Sequence, residues 1–517
     1  MSDEAALHFC RPLPSTLQWL LAQRSVRVCH SAMHHFQSQP ISQRFIDRRQ
    51  FGSGALLLAS AFALAVLPLH LAALLVTGIA FTVVLLLWPV VGLYTLALAI
   101  PFSAVARLPL GPTSIGITDL LVAATGFAWF LKVAIRNPQS AIRSSPLLWL
   151  ILPFAVILLY STLAAQSLEQ AIPELIKWAE VALVYFLGVQ LLDERQRLPF
   201  VLFILMAAAG EAVIGLRQFV FRIGPEAFEL GRFLRAYGTF GQPNPYAGYL
   251  GLALPLGLAL SLWASETAWG RRSQVGRKKV GGALRPGLLT LFVLSLTAII
   301  AAGIIASWSR GAWLGVAAST VAVLALYSLS GRILILLGAL AGIIAFPILP
   351  TAITARLSDV TRYFGTWNVR GVLVTDENFS VLERVAHWQA AWEMFADHPW
   401  LGVGVGNWDG AYPRYAIDQW LDPMGHAHNV LFHYAAVAGI LGALTYLWLW
   451  LGSLVAAFIA IIRNTGLNRA IAIGVFGLFV HLSVHNQLDN LWVQGMPLLI
   501  ALALSLLVVQ APPSQGE

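Results

Sequence analysis

Long apolar runs separated by short polar stretches dominate the chain. Residues 55–68, 71–87, 147–163, 288–305 and 333–348 contain almost no polar side chain. A hydrocarbon core about 30 Å thick needs roughly 20 such residues per helix. The runs also lack the alternating polar residues that face the lumen of a membrane barrel. The pattern therefore predicts an all-α, polytopic integral membrane protein.

The same pattern sets the number of helices. Between twelve and fourteen transmembrane helices are expected, and fourteen agrees best with the charge bias of the loops. The predicted spans are residues 53–70, 71–88, 89–104, 117–134, 146–164, 172–192, 198–218, 245–264, 287–306, 312–328, 331–349, 436–462, 470–487 and 491–510.

Polar segments divide the chain into five parts. A tail at 1–50 precedes the helices at 51–349, and a large loop at 350–427 separates these from the C-terminal helices at 428–510 and a short tail at 511–517. Lys and Arg collect in cytoplasmic loops, and the most basic loop follows the predicted span 245–264. This bias predicts cytoplasmic termini, an inner (plasma) membrane location, and a large loop on the periplasmic or extracellular side.

Composition excludes several classes of protein. Of 517 residues, 58% are hydrophobic and 11% charged, whereas soluble domains carry roughly a quarter charged residues. The net charge of +8 follows the membrane topology, so no nucleic-acid partner is expected. Both cysteines, Cys10 and Cys29, lie in the first tail, so no structural disulfide is expected in the outer loops.

One helix is predicted within the large loop. Ser380 and Glu383 fit a capping box. Apolar residues then recur at the three- and four-residue spacing of one helical face, namely Val381, Val385, Trp388, Trp392 and Phe395. Pro399 and a Gly-rich turn should end this helix.

Four polar segments border apolar spans on the predicted outer side. They are residues 238–248 (GTFGQPNPYAG), residues 307–311 (SWSRG), the loop helix with Arg384, and residues 425–429 (GHAHN). Together they resemble the O-antigen ligase and polymerase family, which includes proteins once labelled bicarbonate transporters, of the IctB type. The resemblance covers about residues 147–502 and is strongest over 238–442.

The resemblance implies a membrane glycosyltransferase with a GT-C-like fold. Such an enzyme transfers a glycan from a polyprenyl diphosphate carrier to an acceptor hydroxyl on a lipid, a glycan or a protein, and it needs neither a metal nor another cofactor. By motif match, Arg310 and Arg384 would bind the diphosphate, and His428 would be the catalytic histidine.

Elementary chemistry is compatible with these roles. The planar fork of an arginine can bind two phosphate oxygens, and it stays charged while the leaving group gains negative charge. A histidine can accept the proton of the attacking hydroxyl. Simpler readings stay open: Arg310 could anchor a helix at the interface, Arg384 could pair with Glu383 or Asp397, and His428 could be an ordinary interface residue.

Further substrate-binding candidates lie beside these motifs: Gln242, Asn244, Arg217, His426 and Asn429. Gln242 and Asn244 precede an apolar helix whose free amides could bind an anion, or they could form a rigid entry turn. Arg217 is a charged residue near the end of a span, where such residues face a cavity or a partner. His426 is expected on a different helix face from His428, so no metal site is predicted.

His481 and His485 have the i, i+4 spacing of a possible metal pair, although buried structural histidines are the favoured interpretation. An anion transporter is the main alternative function, and a non-catalytic scaffold for glycan export is another. Transporters commonly show paired halves with broken helices. No repeated half is visible here, and the Arg and His candidates gather on one predicted face, which favours the enzyme.

Overall fold

The computed structural model describes residues 66–105, 107–110, 113–136, 142–272, 286–349, 354, 367–375 and 378–508. Both predicted tails, both cysteines, most of the first predicted span, most of the basic loop and much of the large loop lie outside the described residues. Contacts divide the chain into two units, 1–81 and 82–517. Everything below concerns the second unit except for the first helix.

Helices make up most of the described chain. They are α1 (Leu69–Leu87), α2 (Val90–Ala99), α3 (Ile117–Arg136), α4 (Leu148–Ser161), α5 (Leu168–Leu191), α6 (Arg197–Phe221), α7 (Pro243–Arg272), α8 (Pro286–Ala306), α9 (Arg310–Tyr327), α10 (Leu329–Ala345), α11 (Phe379–Asp397), α12 (Trp408–Ala411), α13 (Val430–Arg463), α14 (Gly466–His485) and α15 (Met496–Ser505). Two short antiparallel hairpins interrupt them, β1 (Arg107–Leu110) with β2 (Thr113–Gly116) and β3 (Glu229–Leu230) with β4 (Phe233–Leu234).

Nine of the described helices are long and apolar enough to cross a membrane: α1, α3, α6 to α10, α13 and α14. Shorter apolar helices include α2, α4 and α15. This architecture confirms the predicted all-α, multi-pass membrane fold. Each predicted span from 71–88 onward coincides with a described helix, but the last is shorter than expected because residues 486–495 are irregular.

The central helix of the bundle is α7. It packs against α8, α9 and α14, and 83% of its most apolar stretch of 18 residues is buried. Small residues allow this close approach. A Cβ added at Gly474 of α14 would lie 2.8 Å from the Cα of Leu256 in α7.

A kink in α13 anchors the turn that follows α11. Gly439 has φ 66° and ψ −161°, which a side chain would strain, and a Cβ there would lie 2.3 Å from the carbonyl carbon of Trp400. Beside the kink, the Ile440 amide donates to the Pro399 carbonyl at 2.7 Å, and the Val403 amide donates to the Ala436 carbonyl at 2.9 Å. The loop helix α11 is thereby fixed to α13, and these two helices carry the central part of the candidate site.

Candidate functional site

Two of the predicted arginines meet at Ser380. Arg310 is the first residue of α9, and its guanidinium donates a hydrogen bond to the Ser380 hydroxyl. Arg384, one turn further along α11, donates to the Ser380 carbonyl and, at 2.7 Å, to the Leu488 carbonyl. Backbone carbonyls, and not the carboxylates of Glu383 or Asp397, thus accept its described hydrogen bonds.

The predicted capping box is wrong. Helix α11 begins at Phe379, so Ser380 lies inside the first turn, where its hydroxyl accepts from Arg310. Asn378 precedes the helix, and its side-chain oxygen accepts from the Thr375 amide at 2.7 Å. The predicted apolar face is also only partly buried: Val385 is in the core, whereas Trp392 is 59% exposed.

An irregular segment, residues 425–429, carries the predicted histidine. His428 has a left-handed backbone (φ 53°) and lies two residues before the start of α13 at Val430. Asn429 caps that helix by accepting from the Phe432 amide at 3.1 Å, and its amide nitrogen donates to Gln487 Oε1 at 3.1 Å. Asn429 therefore holds His428 in place between α13 and the irregular segment 486–495.

His426, His428 and Asp489 form one cluster. His426 Nε2 lies 3.6 Å and His428 Nδ1 3.8 Å from Asp489 Oδ1, and the two imidazole centroids are 4.5 Å apart. The prediction that the two histidines point to different helix faces is wrong, because residues 426–428 are not helical. Asp489 belongs to the site through tertiary packing.

These three residues are close enough together to bind a metal ion, since their potential ligand atoms lie within 4.8 Å of one another. The hydrogen bonds indicate a different role. His426 Nδ1 accepts from the His428 amide at 3.0 Å, so its neutral ring carries the proton on Nε2, the atom that faces Asp489. A metal-ligating histidine normally has the reverse pattern, with its other nitrogen donating. The proton on His426 Nε2 disfavours a metal at that atom, and the contacts of 3.6 and 3.8 Å to Asp489 are ion-pair contacts.

Burial and neighbouring charges set the protonation of the cluster. Burial, reinforced by the nearby His428, lowers the pKa of His426 to about 3 and keeps it neutral. Burial opposes ionisation of Asp489, but the proximity of His428 and His426 outweighs it and holds the pKa of that carboxyl below its usual range. An ionised Asp489 near Nδ1 of His428 favours a proton on that nitrogen and leaves Nε2 as the basic atom. Both ring nitrogens of His428 are buried and have no hydrogen-bond partner among the described residues.

His387 supports His428 from α11. The two rings meet edge to face at 5.2 Å, and His387 also stacks on Tyr412 at 5.0 Å. Its Nδ1 lies 2.7 Å from the Glu383 carbonyl and its Nε2 lies 3.0 Å from the Asp422 carbonyl. His387 therefore links α11 to the segment that leads into His428, a role that helical periodicity alone did not suggest.

The segment that contains Arg310, Arg384 and His428 matches a known family. Residues 291–447 match the family model described as O-antigen ligase. This match lies inside the region over which the sequence resembles that family. A comparison with curated proteins finds no match. The match confirms the resemblance and supports, in general terms, a membrane protein with a role in glycan ligation.

A third arginine lies outside the matched segment and connects it to the 238–248 motif. Arg235 donates to the Ser307 carbonyl at 2.9 Å and to Asn244 Oδ1 at 3.1 Å. The predicted Asn244 therefore contacts the site through Arg235. Sequence reasoning missed Arg235, although its position just before the motif is a usable signal.

The remaining candidates fit the site less well. The Gln242 side chain is exposed, and its carbonyl accepts from the Tyr246 amide at 3.3 Å in the first turn of α7. Arg217 is exposed, and it is the neighbouring Gln218 that contacts the motif, with Oε1 accepting from the Gly238 amide at 2.7 Å. Its charge near the end of a span indicated Arg217, whereas Gln218 makes the contact with the motif.

His481 and His485 have a structural environment. Their facing ring nitrogens are 3.4 Å apart, and both side chains are buried. A Cβ at Gly251 or Gly315 would lie 2.1 Å or 2.6 Å from the His481 ring. Close packing of α7 and α9 on this ring agrees with the favoured interpretation of buried structural histidines.

Proposed function

We propose that this protein is a metal-independent membrane glycosyltransferase that moves a glycan from a polyprenyl diphosphate carrier to an acceptor hydroxyl. The observation that carries the proposal is the convergence of Arg310 and Arg384 on Ser380, linked through Leu488 to the adjoining Asp489 and His428. Two arginines that can stabilise negative charge and a histidine that can act as a base thus lie at one end of the bundle.

The arginines act on the leaving group. As the bond between the anomeric carbon and the diphosphate oxygen breaks, negative charge grows on the phosphates, and Arg310 and Arg384 stabilise it. Arg235, held by Ser307 and Asn244, adds positive charge beside Arg310. The leaving product is the intact polyprenyl diphosphate.

His428 acts on the nucleophile. The acceptor hydroxyl loses its proton to His428 Nε2 while its oxygen forms the new bond to the anomeric carbon. Asp489 stabilises the resulting imidazolium, as the carboxylate of a catalytic triad does. The proton balance closes when His428 returns its proton to solvent.

Charge bias in the sequence gives the proposed orientation. Cytoplasmic termini would place this end of the bundle on the periplasmic or extracellular face of the inner (plasma) membrane, where a flipped lipid-linked glycan is available. The acceptor is a lipid, a glycan or a protein bearing a hydroxyl group.

Deletion of the gene tests the proposal in cells. We expect accumulation of polyprenyl-linked glycan and loss of a surface polysaccharide or glycoprotein, restored by the wild-type protein and not by His428→Ala at equal membrane abundance. An unchanged lipid-linked pool in the deletion strain, together with bicarbonate uptake by purified protein in liposomes, would support the transporter alternative instead.

A further inference from the structure

An aromatic groove lies beside the histidine cluster. It has a volume of about 420 Å³, and its lining residues are Trp367, Trp388, Gln389, Trp392, Glu393 and Phe432. This volume falls within the range of small-molecule binding sites. The proposed chemistry of the Arg and His residues does not use the groove.

The groove has walls from three segments. Trp388 of α11 packs against Phe432 of α13 at 6.1 Å and against Trp367 at 6.3 Å. Polar contacts hold the strip 367–370 on α11: Gln389 Oε1 accepts from the Val369 amide at 2.9 Å, and Glu393 accepts from Arg370 at 2.9 Å. The aromatic walls are therefore fixed relative to each other.

The lining chemistry suits a sugar ring. Aromatic faces attract the weakly positive C–H groups on the flat side of a pyranose. Trp367 and Trp392 remain 64% and 59% exposed, so their faces are available to a ligand. Glu393 also lines the groove and is 42% exposed, so it supplies accessible carboxylate oxygens. A sugar hydroxyl can donate a hydrogen bond to them, whereas an acyl chain cannot.

The order of residues along α11 indicates whether the donor or the acceptor extends toward the groove. Ser380 holds both arginines at the start of the helix, His387 meets His428 in the middle, and Trp392 lies about 12 Å beyond Arg384 at 1.5 Å per residue. In the proposed displacement the nucleophile approaches opposite the diphosphate, and the base lies on the nucleophile's side. The acceptor therefore extends from His428 away from the arginines, toward the groove.

We propose that this groove binds a sugar ring of the acceptor glycan next to the hydroxyl that attacks. This inference rests on the proposed function and specifies its acceptor as a glycan or glycan-bearing molecule. It makes Trp367 and Trp392 specificity-determining residues that act on acceptor binding and not on the chemical step.

Initial rates in isolated membranes test the proposal. The donor is the native lipid-linked glycan, and the acceptor is the unmodified glycoconjugate purified from a strain that lacks the gene. We expect Trp392→Ala and Trp367→Ala to raise the KM for acceptor about tenfold and to leave kcat and the KM for donor unchanged, with Trp392→Phe retaining most of the affinity. Trp400→Ala is the matched control, because Trp400 follows α11, is 71% exposed and lies outside the groove.

Two results would overturn the proposal. A raised KM for donor with an unchanged KM for acceptor would assign the groove to the donor glycan. If kcat and the KM values for donor and acceptor are unchanged in both tryptophan variants, these residues are interface anchors only.

Failure of the proposed function is distinguishable from failure of the groove. If the wild-type protein transfers no glycan, the proposed function fails, and binding of the fluorescently labelled acceptor glycan to purified protein decides the role of the groove. Loss of binding in Trp392→Ala but not in Trp400→Ala would support the groove, and equal binding in both would refute it.

Discussion

Two pairs of histidines in the described part of the chain lie in contrasting environments. His481 and His485 lie on one face of α14 and pack against glycines of the bundle interior. His426 and His428 lie in an irregular segment beside Asp489, and His428 keeps both ring nitrogens without a partner in the described part of the chain. Regular helical spacing thus accompanies close packing here, whereas the proposed catalytic histidine is held in irregular backbone. The predictions below test that distinction.

The largest effect is expected at His428. His428→Ala should lower the transfer rate about 10²- to 10⁴-fold, because it removes the base for the acceptor hydroxyl, while binding of the lipid-linked donor persists. Rates per membrane-inserted molecule and retention of radiolabelled donor provide the two measurements. His398→Ala, at the exposed C-cap of α11, is the control and should behave as wild type. A His428→Ala rate near that of the control would remove His428 from the mechanism.

The next largest fall in transfer rate is expected for the two arginines. Arg310→Ala and Arg384→Ala should each cost on the order of 2 to 4 kcal/mol of transition-state stabilisation, or about 10² to 10³ in rate. Lysine should rescue poorly, since it keeps the charge but lacks the planar fork. Arg332→Ala provides a control in α10, where Arg332 donates to the Ala325 carbonyl. Full activity in both alanine variants would indicate that the arginines are interface anchors.

The structural histidine pair should affect stability and not rate. In Gly251→Ala the new Cβ would lie 2.1 Å from His481 Cε1, so the free energy of unfolding should fall by about 1 to 3 kcal/mol, as for other overpacked cores. Gly338→Ala is the matched control, because a Cβ there meets nothing within 4 Å. Thermal unfolding in detergent measures both. A rate per folded molecule that drops in Gly251→Ala would instead draw His481 into catalysis.

The smallest effect concerns pH. Below about pH 6.5 an unfolded chain protonates His426, whereas the folded protein does so only near its lowered pKa of about 3. Stability should therefore fall as pH drops through this window, by up to about 1.4 kcal/mol per pH unit. Asp489, whose pKa is also lowered, adds to the loss only below roughly pH 4. Burial also lowers the pKa of His387, which contributes to the loss in the same window, so the share of His426 is the difference between wild type and a variant.

Replacement of that histidine provides the check. His426→Gln cannot be protonated, so its unfolding midpoint should depend less on pH between 6.5 and 4 than that of wild type. His428, His387 and Arg384 also act on the ring of His426 and are unchanged in this variant. Identical pH profiles for the two proteins would show that His426 is not held neutral by its surroundings.

The helices were predictable because the length of an apolar run is a local property. The predicted spans 117–134 and 198–218 correspond to Ile117–Arg136 and Arg197–Phe221. The last span, 491–510, begins five residues late, at Met496, because the irregular segment before it contains buried apolar residues such as Leu491 and Trp492. A hydrophobicity pattern does not distinguish such residues from a helix start.

The site was predictable only in part. Residue type and neighbouring motifs indicated Arg310, Arg384 and His428, which the structure brings to one end of the bundle. Asp489 could not be assigned in this way, because its role depends on contacts between segments far apart in sequence. Arg235 precedes the 238–248 motif, and its contact with Asn244 spans only nine residues. Neither lies within the matched O-antigen ligase segment.

The most direct test uses purified protein in liposomes with lipid-linked glycan, acceptor glycoconjugate and EDTA. The proposed mechanism predicts that wild-type protein transfers the glycan under these conditions, that added Mg²⁺ or Mn²⁺ does not change the rate, and that His428→Ala releases no product while still binding donor. Transfer that is lost in EDTA and restored by Mg²⁺ or Mn²⁺, or transfer that persists in His428→Ala, would contradict it.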